Sequence, residues 1–441
     1  MKFDHLFLFV IYIFHGDLTI STIKNIKGTH DLLPVDTLRW QHIEQHIHSF
    51  LKNYGYGEIR TPAFEETGLF IRGVGKDTDV VSKEMYSWVD QGNNNLTLKP
   101  ELTAPVVRSF IQHKLGRLQP INRLYYIDAL FRRERPQKGR QRQFHQFGVE
   151  AFGSEHPEMD VEVISIAYHI YKSFGITELS VKINSIGSPE VRPRYLEELR
   201  SKLNIHSNKL CKTCNHRLFT NALRVFDCKN SNCQLVLDEY APVISDFLSD
   251  DDRIHFDMVL NLLSELKIPY TLDNKLVRGL DYYTRTTFEI TSSALGSQDA
   301  LCGGGRYDKL VEQLGGDSTP AVGFAAGMER LLIVLDDISE PIQQNCDIYM
   351  VILGEKALSK ALIIANNLRV DLNLSVITES SRRSVKAQMK EANRQGAQFA
   401  IILGENEIKN GLATIKNMNE GTQEEIELNK IIEYFKENRK R

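Results

Sequence analysis

The sequence predicts an α+β chain closed by a separate α/β domain, and three observations carry that prediction. Two long alternating runs, Arg123–Phe131 and Gln143–Phe152, flank a segment with the turn formers Pro136 and Gly139, the pattern of a long antiparallel hairpin. Helix-spaced apolar stretches at Thr37–Tyr54, Pro157–Phe174 and Glu190–Leu203 lie around it. Beyond Pro341, short apolar strands alternate with helices, as in an α/β unit.

Taken in chain order, residues 1–19 form an extension whose segment Leu6–Phe14 (LFLFVIYIF) is apolar throughout. Nine residues are about half of the roughly 20 needed to cross a bilayer. With only Lys2 before it, offset by Asp4, and no small-x-small cleavage site after it, the segment does not make an export signal. We expect an extension outside the fold. The helix at Thr37–Tyr54 places Leu38, Ile43, Ile47, Phe50 and Leu51 on one face, with Asp36 as its cap. Strands follow at Gly57–Arg60, Glu84–Val89 and Leu96–Lys99, and then the hairpin. A second β-rich stretch spans roughly 268–335, with strands at Tyr283–Ile290 and Ala300–Gly303, and ends where the small-residue strand of AVGFAAGMERLLIVL meets a helix at Gly327. The last part has strands Asp347–Leu353, Leu374–Ile377 and Phe399–Leu403 and helices Lys356–Leu368 and Ser384–Arg394. The domains expected are thus 20–342 and 343–441, with a cysteine-containing insertion at 205–250.

The chain has 441 residues, 25% of them charged and 42% hydrophobic, and a formal net charge of −3, so no global field draws in a polyanion. Any anion site must be local. The hairpin tip is the densest candidate, because Arg132, Arg133, Arg135, Lys138, Arg140 and Arg142 fall within eleven residues; the plain alternative is a solvated loop. Of six cysteines, Cys211, Cys214, Cys228 and Cys233 lie within 23 residues. In so long a chain this is no disulfide scaffold, and a reducing, cytoplasmic compartment fits. The four suit a thiolate zinc site, with Cys211 and Cys214 at knuckle spacing, or four reduced thiols in a small module.

Strand alternation turns Gln146, Gly148 and Glu150 to one face, and the glycine suggests close approach of a ligand. Arg132, at the end of the preceding strand, suits bidentate phosphate binding. In LKPELTAPVVR, Glu101 and Thr103 stand between a strand and a helix, where a threonine is most often an N-cap. LVRGLDYYTRTTFEI brings Arg278, Asp281, Tyr282 and Tyr283 around Gly279, and LCGGGRYDKL has three glycines before Arg306. In GFAAGMERLL, Arg330 sits in the first turn of a helix, opposed by the dipole, which suggests a negative ligand.

With these segments quoted, residues 24–440 resemble the class II aminoacyl-tRNA synthetases, and among them the histidyl-tRNA synthetase family. KGTHDLLP, its helix and GEIRTPAFE (with Pro62) resemble motif 1, FRRERPQKGRQRQFHQFGVE motif 2, and GFAAGMERL motif 3. These motifs are shared widely; RGLDYY and GGGRYD are the specific ones. The extension has no counterpart in the family pattern, and the four-cysteine set is not general in it. The resemblance implies a six-stranded antiparallel catalytic sheet flanked by helices, a C-terminal α/β anticodon-binding domain, and a homodimer formed through motif 1. It implies ATP-dependent ligation of L-histidine to tRNA(His) through a histidyl-adenylate, with no membrane. By the same resemblance Arg132 and Arg278 act on the α-phosphate, Arg140 and Arg330 on the rest of ATP, and Mg²⁺ bridges the outer phosphates. Glu101, Thr103 and Gln146 would hold the α-ammonium of histidine. Glu150 and Tyr283 would meet the ring nitrogens, Tyr282 would close the pocket, and Gly303 to Gly305 would admit the substrate. Two rivals share the fold: a regulatory subunit of ATP phosphoribosyltransferase, against which the three arginines and the C-terminal domain speak, and a synthetase for another amino acid, against which RGLDYY and the Gln146/Glu150 pair speak.

Overall fold

The computed structural model describes residues 22–137, 139–292, 300–336 and 346–438. The extension 1–19, Lys138 and the expected domain boundary at 342/343 lie outside them. The chain divides into two compact units, one mainly Glu44–Ser339 and the other mainly Glu340–Arg441.

In the first unit, the short strands β1 (Gly57–Glu58), β2 (Phe64–Glu66), β3 (Ser87–Val89) and β4 (Asn95–Leu98) precede the hairpin β5 (Asn122–Phe131) and β6 (Gln143–Phe152). Next come β7 (Leu179–Ser185), β8 (Tyr270–Leu272), β9 (Thr284–Ser292), β10 (Ala300–Arg306) and β11 (Ala321–Gly327). The main sheet runs β1-β5-β6-β11-β10-β9-β7-β8. Its inner six strands are antiparallel throughout, as expected. The edge strands β1 and β8 pair parallel and extend the sheet to eight. β1 falls within the strand expected at Gly57–Arg60, whereas the three residues of β8 carry too little alternation to be legible in the sequence. A small sheet, β2-β4-β3, stands apart.

Several expected boundaries shift for local reasons. The first helix spans Pro34–Asn53 and begins ahead of Asp36, so Asp36 is no N-cap; its Oδ2 instead accepts from the backbone N of Leu33 at 3.1 Å. Residues Val80–Glu84 form a π-helical turn, leaving only Ser87–Val89 as strand. Thr103 opens the helix Thr103–Gln112 but does not cap it, because its hydroxyl is engaged elsewhere.

One face of the main sheet is covered by the helix Pro157–Ser173, backed by Asp250–Glu265. Phe147 points to this side, with its ring 6.2 Å from Tyr171. Alternation then sends Gln146, Gly148 and Glu150 to the opposite face. The insertion is not a satellite: Cys214, Leu218, Val225 and Cys233 belong to the same buried cluster as Leu102, Tyr126 and Tyr283.

The second unit carries β12 (Ile348–Ile352), β13 (Val376–Thr378), β14 (Phe399–Leu403), β15 (Leu412–Asn417) and β16 (Gln423–Glu427), in the order β13-β12-β14-β15-β16. β12 pairs parallel with β13 and β14, as α/β alternation predicts. β15 and β16 add an antiparallel hairpin that the polar sequence of Gln423–Glu427 (QEEIE) concealed. The core lies between β12, β14 and β15 and the helices Glu355–Leu372 and Ile431–Asn438.

Arg306 ends β10 with its side chain fully buried, so it cannot serve a ligand as exposed arginines do. It forms an ion pair with Asp160 of the covering helix and donates to the carbonyls of Ser154 (2.8 Å) and His156 (3.1 Å). These bonds pin the glycine-rich strand to the helix layer. Removing one partner of a buried ion pair costs about 3–5 kcal/mol, because the other charge stays buried. Arg306→Ala is expected to lose about that much in urea unfolding; a loss below about 1 kcal/mol would show that the pair does not hold the layers together.

Candidate active site

On the open face of the sheet, the hairpin tip, β6, β10, β11 and the helix Met328–Asp336 enclose a cleft of about 200 Å³. Arg132, Arg140, Arg278 and Arg330 line it, with Gln146 and Gly303. Four cations from three distant stretches of sequence thus share one cavity, the arrangement expected of a polyanion site.

Each arginine is oriented by a neutral or acidic neighbour. Arg132 donates from Nε to the carbonyl of Pro100 at 2.8 Å and lies over the Phe144 ring, 5.2 Å from its centroid. Glu134 stands 3.8 Å from Arg132 and 3.5 Å from Arg140. Arg330 donates to the carbonyl of Ala300 at the mouth of β10. Burial, then the Arg140 charge, lowers its pKa, so an anion would relieve both costs. Arg278 pairs with Glu289 of β9, and among the described residues its buried Nε has no partner. Gly303 sits directly beneath: a Cβ there would collide with the Arg278 guanidinium.

Beside the cleft lies a second, buried group that does not line it. Glu150 accepts from the Thr103 hydroxyl (2.8 Å), the Tyr126 hydroxyl (3.1 Å) and the Tyr307 hydroxyl. No arginine pairs with it among the described residues. The Glu101 carboxylate takes the backbone N–H groups of Thr103 (2.8 Å) and Ala104 (2.9 Å), capping the helix in place of Thr103. Tyr282 packs on Tyr283 with ring centroids 4.7 Å apart and on Tyr307 at 5.5 Å. Against the cost of burial, Glu289 and then Tyr283 raise the Arg278 pKa, so Tyr283 couples the buried group to the cleft. Gly305 faces Tyr283 and the backbone of Thr286, so its space is filled by protein.

The glycine of β6 has a different cause from the one its sequence suggests. A Cβ on Gly148 would strike the Phe324 carbonyl and the Tyr126 hydroxyl. Gly148 pairs with Tyr126 across the hairpin, and its missing side chain is what lets that hydroxyl reach Glu150.

Of the residues expected from sequence, the structure brings Arg132, Arg140, Arg278, Arg330, Gln146 and Gly303 into the cleft. Glu101, Thr103, Glu150, Tyr282, Tyr283 and Gly305 form the buried group. Sequence reasoning missed Glu134, Glu289, Phe144, Tyr126 and Tyr307. It also missed Glu329, which accepts from the backbone N of His145 at 2.9 Å and holds its ring at 3.0 Å. Tyr307 stood in view, next to the glycines in GGGRYD. Glu289 gave no local signal, because only the register Gly303↔Glu289 makes it a neighbour of Arg278. The four cysteines are placed together in the insertion, away from the cleft lining.

Burial pushes the Glu150 carboxyl up to about 8 and that of Glu101 up to about 7. For Glu150 the donated hydroxyls oppose the shift and the Glu101 charge adds to it. An acid whose folded pKa lies above its unfolded one binds more protons when folded, so stability is lost as pH rises through that interval. Glu150→Gln removes one such group. Its melting temperature is expected to fall less than that of the parent chain between pH 6 and 8.5, by a few degrees; parallel curves would mean Glu150 is ionised throughout.

Residues 28–331 match the family model described as histidyl-tRNA synthetase, and residues 347–438 the one described as anticodon binding domain. The chain is 49% identical over 414 residues to the histidine–tRNA ligase of Halothermothrix orenii, covering 93% of this chain and 98% of that one. It is 44% identical over 421 residues to the ligase of Staphylococcus aureus, covering 94% and 100%. The crystal structure of apo S. aureus histidyl-tRNA synthetase superposes with a TM-score of 0.79 at 40% identity, covering 94% of this chain and 100% of that chain. An ATP phosphoribosyltransferase regulatory subunit/histidyl-tRNA synthetase from Bacillus halodurans gives 0.62 at 20% identity over 87% and 98%, a likeness of fold alone.

Proposed function

The chain belongs to the histidyl-tRNA synthetase family, and from that membership we infer that it is a class II synthetase joining L-histidine to tRNA(His) with ATP. The observation that carries the reading at residue level is the convergence of Arg132, Arg278 and Arg330 on one cleft beside the buried Glu101–Glu150 group.

The reaction has two balanced steps. A carboxylate oxygen of histidine attacks the α-phosphorus of ATP; a P–O bond forms, the α–β anhydride breaks, and pyrophosphate leaves. A terminal ribose hydroxyl of the tRNA then attacks the carbonyl carbon of the histidyl-adenylate, its proton leaves, and AMP is released. Charge moves among phosphate oxygens in the first step, so catalysis rests on positioning and on cations fixed in advance. Arg132 and Arg278 serve the α-phosphate from opposite sides. Arg278 exchanges or shares its bond to Glu289 when the phosphate arrives, and its Nε, unpartnered among the described residues, offers a further donor. Arg330 and Arg140 take the outer phosphates and the adenine side.

The carboxylates on the cleft wall, Glu134, Glu289 and Glu329, the last already engaged by His145, are hard oxygen donors of the kind Mg²⁺ accepts. With so few, ATP itself would supply most of the ligands. Bound there, Mg²⁺ would neutralise the outer phosphates.

For histidine, Gln146 and the Glu101/Thr103 corner hold the ammonium, and Glu150 with Tyr283 meets the ring, one accepting from its N–H and the other donating to its second nitrogen. A cation bound here restores the ionised carboxylates that burial disfavours. Tyr282 closes the pocket over this pair. The C-terminal unit reads the anticodon. A homodimer through motif 1 is supported by β1 at the open edge of the sheet and by the exposed Phe64, Trp88 and Val89 nearby in sequence. Cytoplasmic residence is supported by six free thiols; among the described residues no helix is long and apolar enough to cross a membrane.

The test is histidine-dependent exchange of pyrophosphate into ATP, which a regulatory subunit lacks and a synthetase for another amino acid would not tie to histidine. Losing a preorganised charge donor costs on the order of 10²–10³ in rate. Arg278→Ala is expected to lose that much exchange with little change in histidine binding; near-normal exchange would remove Arg278 from the phosphate site.

Glu150→Ala separates specificity from scaffold. A hydrogen bond to a charged group is worth about 1.5–3 kcal/mol, so the KM for histidine should rise on the order of 10- to 100-fold. The KM for ATP should stay nearly constant. The opposite pattern would assign Glu150 to the nucleotide side.

A further inference from the structure

The insertion carries a feature that the reaction does not use. Cys211 precedes the helix Lys212–Thr220, Cys214 lies in its first turn, Cys228 follows the 3-10 turn Ala222–Asp227, and Cys233 lies in the first turn of the helix Ser231–Tyr240. Three separate elements thus deliver four thiols to one point. The four sulfur atoms all lie within 4.8 Å of one another, and Cys211 Sγ stands 3.9 Å from Cys228 Sγ. None is disulfide-bonded. Among the described residues this is the only set of three or more His, Cys, Asp or Glu whose ligand atoms converge.

We propose that Cys211, Cys214, Cys228 and Cys233 form a mononuclear, structural four-thiolate zinc site. Zinc–sulfur bonds of about 2.3 Å set the edges of a thiolate tetrahedron at roughly 3.8 Å. The Cys211–Cys228 separation of 3.9 Å matches that span, and no pair of the four lies beyond 4.8 Å. An iron–sulfur cluster places several atoms between its cysteines and holds their sulfurs farther apart. Buried cysteines acting merely as small apolar residues have no reason to turn four sulfurs inward on each other.

The surroundings suit thiolates. The backbone N of Cys211 points to Cys233 Sγ at 3.2 Å and that of Cys214 to Cys211 Sγ at 3.4 Å, the N–H···S contacts that orient and stabilise metal-bound sulfur. Binding Zn²⁺ releases four thiol protons and leaves a net charge of −2 on the site. Lys212 and Lys229, adjacent in sequence to two of the ligands, offset it. All four ligands are internal to the chain and two are buried, so no position remains open for catalysis.

The metal also has something to hold. The turn tied between Cys214 and Cys228 reaches the Arg278 segment: Asn221 Nδ2 donates to Asp281 at 2.7 Å, and Arg224 Nη1 to the Arg278 carbonyl at 3.4 Å. Fixing the cysteines fixes the backbone that aims Arg278.

Metal analysis of the full chain, purified without chelator from zinc-supplemented cells, tests the proposal without reference to activity. About one zinc per chain, in colourless protein, is expected for a filled site. Titration with p-hydroxymercuribenzoate should release that zinc in step with four thiols. Cys214→Ser and Cys228→Ser should each lose it, whereas Cys346→Ser should keep it. Less than about 0.2 zinc per chain, with no uptake by the reduced protein, would overturn the site. So would iron in its place, or zinc retained in a Cys214→Ser/Cys233→Ser double variant. Each of these outcomes is independent of whether histidine-dependent exchange is found.

Discussion

The register of β6 is the constraint on which the catalytic unit depends. β6 pairs with β5 along its whole length and with β11 from Gln146 to Phe152. One face of it packs Phe147 and Val149 against the helix layer; the other presents Gln146 and Glu150. A slip of one residue would bury Gln146 and Glu150 under the helix and expose the aromatic face. Two glycines make the register workable. Gly148 leaves room for the Tyr126 hydroxyl, and Gly323, opposite Glu150 on β11, leaves room for the carboxylate. Glu150 is thereby locked by hydroxyls from β5, from the start of the Thr103–Gln112 helix, and from the residue after β10.

The cleft shows a second economy of charge. Four arginines in one cavity repel each other, and burial disfavours them further. Glu134 and Glu289 lower that repulsion in the free protein, and the Pro100 and Ala300 carbonyls set the direction of Arg132 and Arg330 without adding charge. On the proposed reading, an arriving triphosphate would substitute for the carboxylates rather than create order from nothing. Preorganisation of this kind is what makes electrostatic stabilisation effective at a reacting phosphate.

The insertion is joined to this machinery through the same core. Its buried cysteines share one apolar cluster with Tyr282 and Tyr283, and its turn at Asn221–Arg224 rests on the segment that carries Arg278. Asp79 receives both Arg217 and Arg224, which ties the module to the π-helical turn on the other side. The module is therefore tied to the segment that lines the cleft, although none of its cysteines lines it.

The sequence by itself determined the hairpin, its basic tip, the strand-to-helix junction at Gly327 and the α/β character of the C-terminal part. These rest on alternation, turn residues and apolar period, all written in neighbouring residues. Through the segments RGLDYY and GGGRYD it also pointed to the family. Only the tertiary structure decided which residues face one another. The pairing of Arg278 with Glu289 follows from the register of β9 against β10, and the capping of Thr103–Gln112 by Glu101 follows from Thr103 being drawn to Glu150. Arg306 looks like a site residue beside three glycines, yet Asp160, 146 residues earlier, claims it for the core. Local patterns reveal the elements because the interactions that form them are local; partners across a sheet are chosen by packing and register, which no short stretch of sequence contains.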